Sequence, residues 1–86
     1  MMRPEFKPLR EAVESRLTRV CRNGAGYVFK GRTCVVKDAI KALGGRWTGD
    51  AWEVPPEVVR RDPVAAGELA TLEAITVRAA LGRDVW

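Results

Sequence analysis

The stretch Lys37-Asp38-Ala39-Ile40-Lys41-Ala42-Leu43-Gly44-Gly45-Arg46-Trp47-Thr48-Gly49-Asp50-Ala51-Trp52-Glu53-Val54-Pro55 decides the local architecture. Val36, Ile40 and Leu43 recur at helical spacing, so residues 37–43 read as two helical turns with one apolar face. Asp38 in the first turn suits the positive end of the helix dipole. Gly44 or Gly45 supplies the left-handed residue that ends the helix. Gly49-Asp50 reads as a two-residue hairpin turn, with glycine first as type II′ requires. That turn sets the register: Thr48 faces Ala51, Trp47 faces Trp52, and Arg46 faces Glu53. Side chains alternate across a strand, so both tryptophans take one face and the Arg46/Glu53 pair the other. A facing aromatic pair adds about 0.5–1.5 kcal/mol beyond its burial. An exposed ion pair adds less than about 1 kcal/mol. The tryptophans therefore hold the hairpin, and Trp47, Trp52, Ile40 and Leu43 form the expected structural core.

Upstream, Tyr27-Val28-Phe29-Lys30 and Thr33-Cys34-Val35-Val36 are short β-prone runs on either side of Gly31-Arg32. They make either a hairpin or a strand that bends into the helix that follows. Residues 5–21 suggest an amphipathic helix, with Phe6, Leu9, Val13, Leu17 and Val20 at helical spacing. Pro8 is tolerable in its first turn. Asn23-Gly24-Ala25-Gly26 breaks the pattern. Because Asn-Gly is also a hairpin signal, part of residues 17–22 is equally open to a strand.

Downstream, Pro55-Pro56 ends the hairpin and residues 57–61 read as one helical turn. Residues 64–81 form a longer helix that buries Leu69, Leu72, Ile75, Thr76 and Ala79 and stops at Gly82. The terminal Trp86 is either docked on the core or offered to a partner. The expectation is a single α+β domain over residues 1–86. It has a small antiparallel sheet with a double-Trp hairpin, a helix–hairpin module at 27–55, and flanking helices at 5–21 and 64–81.

Composition narrows the function. The chain has 86 residues, 47% of them hydrophobic and 30% charged, as expected of a folded domain rather than a disordered one. No apolar run approaches the roughly 20 residues of a membrane helix. The start, Met1-Met2-Arg3-Pro4-Glu5-Phe6, has no apolar signal core, so the expected location is cytoplasmic. Cys21 and Cys34 are not spaced as CxxC, and there is no histidine, which excludes a tetrahedral zinc site and leaves no metal or cofactor expected. With no histidine, no nucleophile–base pair and no Walker-type loop, a non-catalytic protein is expected.

The net charge is +4, unevenly spread. Residues 1–22 carry six basic and three acidic side chains, residues 23–54 five and three, and residues 55–86 four and five. A basic excess in the first two-thirds points to an anionic partner, nucleic acid first. Lys30, Arg32, Lys37, Lys41 and Arg46 all lie in the module. Lys37 and Lys41 share one helix face. Such a cluster suits backbone phosphates, and Tyr27 is the aromatic expected to stack on unpaired bases. No recognition helix is visible, so binding should be electrostatic and weakly sequence-specific.

The pattern Val36-Lys37, Leu43-Gly44, Arg46-Trp47, Trp52 and Val54-Pro55, preceded by Tyr27-Val28-Phe29-Lys30-Gly31 and Thr33, resembles a small module of phage and mobile-element proteins. That module sometimes sits beside primase-like or antirestriction domains. More distantly, the stretch is similar to the HARP domain attached to annealing helicases, which has the same helix, Trp-containing hairpin and basic flank. The resemblance covers about 30 residues and implies a shared local fold and an accessory role. It departs in the turn between Trp47 and Trp52, which is shorter than in many relatives and lacks their basic residues.

The leading expectation is therefore a phage or mobile-element accessory protein that binds DNA or RNA. The alternative is a small inhibitor or adaptor that docks on a host protein, or a homodimeric module. Its interface would be Phe6, Leu9, Val13 and Leu17, together with Trp86.

Overall fold

In the computed structural model, which describes residues 3–85, eight elements follow one another along the chain. They are α1 (Phe6–Glu14), β1 (Thr18–Asn23), β2 (Gly26–Gly31), α2 (Lys37–Ala42), β3 (Arg46–Trp47), β4 (Trp52–Val54), α3 (Pro56–Arg61) and α4 (Pro63–Val85). The strands form one antiparallel sheet in the order β1-β2-β4-β3. The fold is α+β, with the N- and C-terminal helices flanking the sheet. Trp86 lies outside the described residues.

Two hairpins build the sheet, one around Gly24-Ala25 and one around Gly49-Asp50. The second has the register its turn implies. Arg46 pairs with Glu53 and Trp47 with Trp52, and the Thr48 amide donates to the Ala51 carbonyl at 2.9 Å. Gly49 takes φ 105°, open to a residue without Cβ, whereas Asp50 is not among the positive-φ residues.

Alternation along the strands sorts the side chains into two faces. Val20, Phe29, Trp52 and Trp47 form one continuous row across all four strands, flanked by Thr18 and by Tyr27 and Val54. This face meets the helices. Phe6, Leu9 and Val13 of α1, Val36, Ile40 and Leu43 around α2, and Ala65, Leu69 and Leu72 of α4 join it in a single core. The opposite row, Cys21, Val28, Glu53 and Arg46, faces away from the helices.

Helices α1 and α2 end in the same backbone motif. At α2, Gly44 adopts φ 97°, its amide donates to Lys41 and that of Gly45 donates to Ile40, each at 2.9 Å. At α1, Arg16 adopts φ 68°, its amide donates to Val13 at 3.1 Å and that of Leu17 donates to Ala12 at 3.0 Å. These are Schellman caps, and the left-handed slot usually belongs to glycine. Gly44 fills it at α2, whereas at α1 it holds an arginine.

Several expectations need correction. The first helix does not run over 5–21. It stops at Glu14, Arg16 reverses the chain, and Thr18–Asn23 pairs along its whole length with β2. Of the two options open for residues 17–22, the strand is the one that forms. Thr33–Val36 is no strand either, because β2 ends at Gly31 opposite Thr18 and leaves the run nothing to pair with. Instead the Arg32 amide donates to Leu17 at 2.8 Å, and the Val36 amide donates to Thr33 at 3.0 Å, turning the chain into α2. Gly82 does not end the last helix, which continues to Val85. A lone glycine costs a helix only about 1 kcal/mol. The helix begins where Asp62 caps it, accepting the Ala65 amide at 3.1 Å, with Pro63 in the first position.

Trp47 is not core. Trp52 is 9% exposed, but Trp47 is 53% exposed. Both lie on the helix-side face as expected. However, β3 is the edge strand, and beyond it no described residue covers the indole.

Candidate nucleic-acid interface

The fold divides the expected basic residues between surfaces. Lys30 leaves the outer face of β2, and Arg32 follows just past the strand end. Lys37 and Lys41 are exposed on α2. Arg46 is on the outer face of the far edge, where its guanidinium donates to Glu53 Oε1 from Nη2 at 3.0 Å and from Nε at 3.2 Å. Among the described residues it is the one member of the set already paired with a carboxylate.

Tyr27, expected as an exposed stacking surface, is buried, with 6% of its surface accessible. It sits on the inner face opposite Val54, and the Arg22 guanidinium covers its ring at 5.6 Å. The exposed aromatic is Trp47. Its ring centroid lies 5.6 Å from that of Trp52 with the planes tilted by 58°. On Trp52, the Lys41 ammonium lies 5.8 Å from the ring centroid. Lys41, Trp52 and Trp47 thus form a continuous cation–aromatic–aromatic run at one edge of the molecule.

Lys30 and Arg32 gain two neighbours that were not singled out as site residues. Arg19 is the direct cross-strand partner of Lys30. Arg16 is next to Leu17, whose carbonyl accepts the Arg32 amide. All four are exposed, and among the described residues none makes an ion pair. The Asn23-Gly24 signal contained this grouping. Counted outward from a Gly24-Ala25 loop, the register sets Arg19 opposite Lys30.

Five of the eleven acids are engaged by other arginines. Glu5 and Asp62 are taken by Arg3, Glu68 by Arg10, Glu73 by Arg22 and Glu53 by Arg46. The Arg10–Glu68 pair is bidentate, at 2.7 and 3.1 Å, with the carboxylate buried between α1 and α4. Hydrogen bonding to Glu68, then its charge, holds Arg10 above the ordinary arginine pKa. Five acids thus serve the fold itself, and none of them offsets the Arg16–Arg19–Lys30–Arg32 corner.

The stripe Phe6, Leu9 and Val13 is buried in this chain's own core, while Leu17, past the helix end, is exposed. Trp86 lies outside the described residues. Among those residues, no group of three or more His, Cys, Asp or Glu is placed to hold a metal ion. No helix among them is long and apolar enough to cross a membrane. No protein-family model, curated protein or solved structure matches the chain.

Proposed function

We propose that this protein binds nucleic acid, DNA or RNA, chiefly through phosphate contacts and with little sequence discrimination. The observation that carries the reading is the Arg19–Lys30 pair. Like charges directly opposite on neighbouring strands weaken a hairpin. Among the described residues they have no ion-paired carboxylate, and they stand beside Arg16 and Arg32. An anionic backbone relieves that repulsion. Lys37 and Lys41 extend the same chemistry along a second edge, and Arg46 joins where a phosphate displaces Glu53. The motif resemblance over residues 27–55 supports a phage or mobile-element setting for a non-catalytic accessory protein.

Fluorescence anisotropy of labelled single-stranded DNA, duplex DNA and RNA between about 50 and 200 mM salt tests the proposal. Four phosphate contacts imply a log–log salt slope of about −3 on single strands and about −3.6 on duplex DNA. Replacing Arg19 or Lys30 by alanine should flatten that slope by about 1 each. Absence of binding at the lowest salt overturns the reading.

A second reading, a homodimeric or host-docking module, is favoured by one feature. Ala70, Ala74, Val77 and Leu81 form an exposed stripe on α4 at coiled-coil spacing. Two copies packed antiparallel would set Ala70 against Leu81 and Ala74 against Val77. Sedimentation of the native chain against Val77→Glu tests it, and a monomer at every concentration removes the homodimer.

A further inference from the structure

A cleft of about 150 Å³ opens between the end of α1, the start of β1 and the C-terminal half of α4. Its lining is apolar at Val13, Ala79 and Ala80 and cationic at Arg16 and Arg19. Two hydroxyls also line it, and both are committed. Thr18 Oγ1 donates to the Arg32 carbonyl at 2.8 Å, and Thr76 Oγ1 donates to the Leu72 carbonyl at 3.0 Å. Both hydroxyl protons are therefore spent, and the donors left to the cleft are the guanidinium groups of Arg16 and Arg19.

Size and chemistry narrow the occupant. A cavity of about 150 Å³ accommodates a single six-membered ring. It is well below the roughly 300 Å³ at which sites for drug-sized ligands begin. Methyl-bearing lining residues suit the face of a flat ring, and the two lining arginines suit an anion attached to that ring. Arg16 adds a third observation. It occupies a left-handed slot that α2 gives to Gly44, so its side chain is kept at this corner against backbone strain.

We infer that this cleft receives the base of one unpaired nucleotide, with the adjoining phosphate held by Arg16 and Arg19. The inference rests on the nucleic-acid reading above and deepens it. Bases within a duplex are stacked and paired, so the cleft makes the protein prefer single strands.

The test compares three labelled probes of equal length by anisotropy: a thymidine oligonucleotide, its abasic counterpart with the same phosphates, and a duplex. The base-bearing strand should bind at least about five-fold more tightly than the abasic strand, as one stacked base implies. Ala80→Leu, at an exposed lining position, adds bulk to the cleft without altering charge. It should abolish that preference and leave abasic binding unchanged, while Trp47→Ala should keep it. Arg16→Gly should weaken both strands yet raise the urea midpoint, a combination that a purely structural arginine does not give.

Equal binding of base-bearing and abasic strands overturns the cleft while the phosphate reading stands. A preference lost in Trp47→Ala but kept in Ala80→Leu places the base on Trp47 and also overturns it. If none of the probes binds, both readings fall.

Discussion

The hydroxyl of Thr76 accepts the amide hydrogen of Val20 at 3.1 Å, joining the middle of α4 to the outer edge of β1. The same oxygen donates its own proton to Leu72 at 3.0 Å, so one side chain satisfies an edge-strand amide while staying bonded within its helix. Val20 is fully buried, and water does not replace that acceptor. Thr76→Val keeps the shape and removes the acceptor. It should lower stability by about 1–3 kcal/mol, the cost of an unsatisfied buried amide. Thr76→Ser should retain most of it. Urea denaturation of both variants decides the matter.

The two hairpin tryptophans should separate by mutation. Trp52→Ala opens a cavity in the core and should cost about 3–5 kcal/mol. Trp47→Ala removes one exposed ring and its aromatic contact, for about 0.5–1.5 kcal/mol. Comparable losses at both positions, measured by denaturant titration, would contradict the edge placement of β3.

Arg16→Gly should stabilise the fold. The left-handed conformation costs a non-glycine residue about 1–2 kcal/mol, and glycine's greater chain entropy returns about 0.5–1 of it. A net gain of up to about 1 kcal/mol corresponds to a melting temperature a few degrees higher for a domain of this size. A lower melting temperature would mean that the Arg16 side chain stabilises the corner by more than its backbone costs.

Asp62 makes stability depend on acid. Its carboxylate accepts Arg3 Nη1 at 2.7 Å and the Ala65 amide at 3.1 Å. First the Arg3 hydrogen bond, then the Ala65 amide, holds its pKa below the usual carboxylate range. A folded pKa below the unfolded one contributes stability above the unfolded value of about 4. That contribution is lost as pH falls through the folded value. Asp62→Asn should therefore melt lower than the native chain at neutral pH, and the gap should close below about pH 4. A gap that is constant with pH would rule this linkage out.

With no histidine in the chain, no side chain with an ordinary pKa changes charge between about pH 5 and 8. Nucleic-acid affinity at fixed salt should stay constant over that interval while remaining steep in salt. A pronounced pH dependence there would require a contact other than these guanidinium and ammonium groups.

What could be read in advance was what a turn or a short period determines locally. Gly49-Asp50 set the register of Arg46, Trp47, Trp52 and Glu53, and Ile40 and Leu43 gave α2 its buried face. Leu17 and Val20 misled because their spacing from Val13 fits a helix, while Thr18, Val20 and Arg22 equally fit a strand. The choice is made by six paired residues of β2, a non-local interaction. Strand order is non-local too, and it decides exposure: it leaves Trp47 bare at the edge and encloses Tyr27 near the centre. The same pairing assembled the basic corner, where Arg16 and Arg19 come from one arm of a hairpin and Lys30 and Arg32 from the other.

The shortness of β3 bears on how this protein resists self-templating. Only Arg46 and Trp47 line that side of the sheet, too few to recruit a foreign strand into a cross-β stack. The six-residue border at β1 is the longer template, and α4 shields it through Thr76. Misassembly under heat or mild denaturant should therefore begin with detachment of α4 rather than with opening of the tryptophan hairpin.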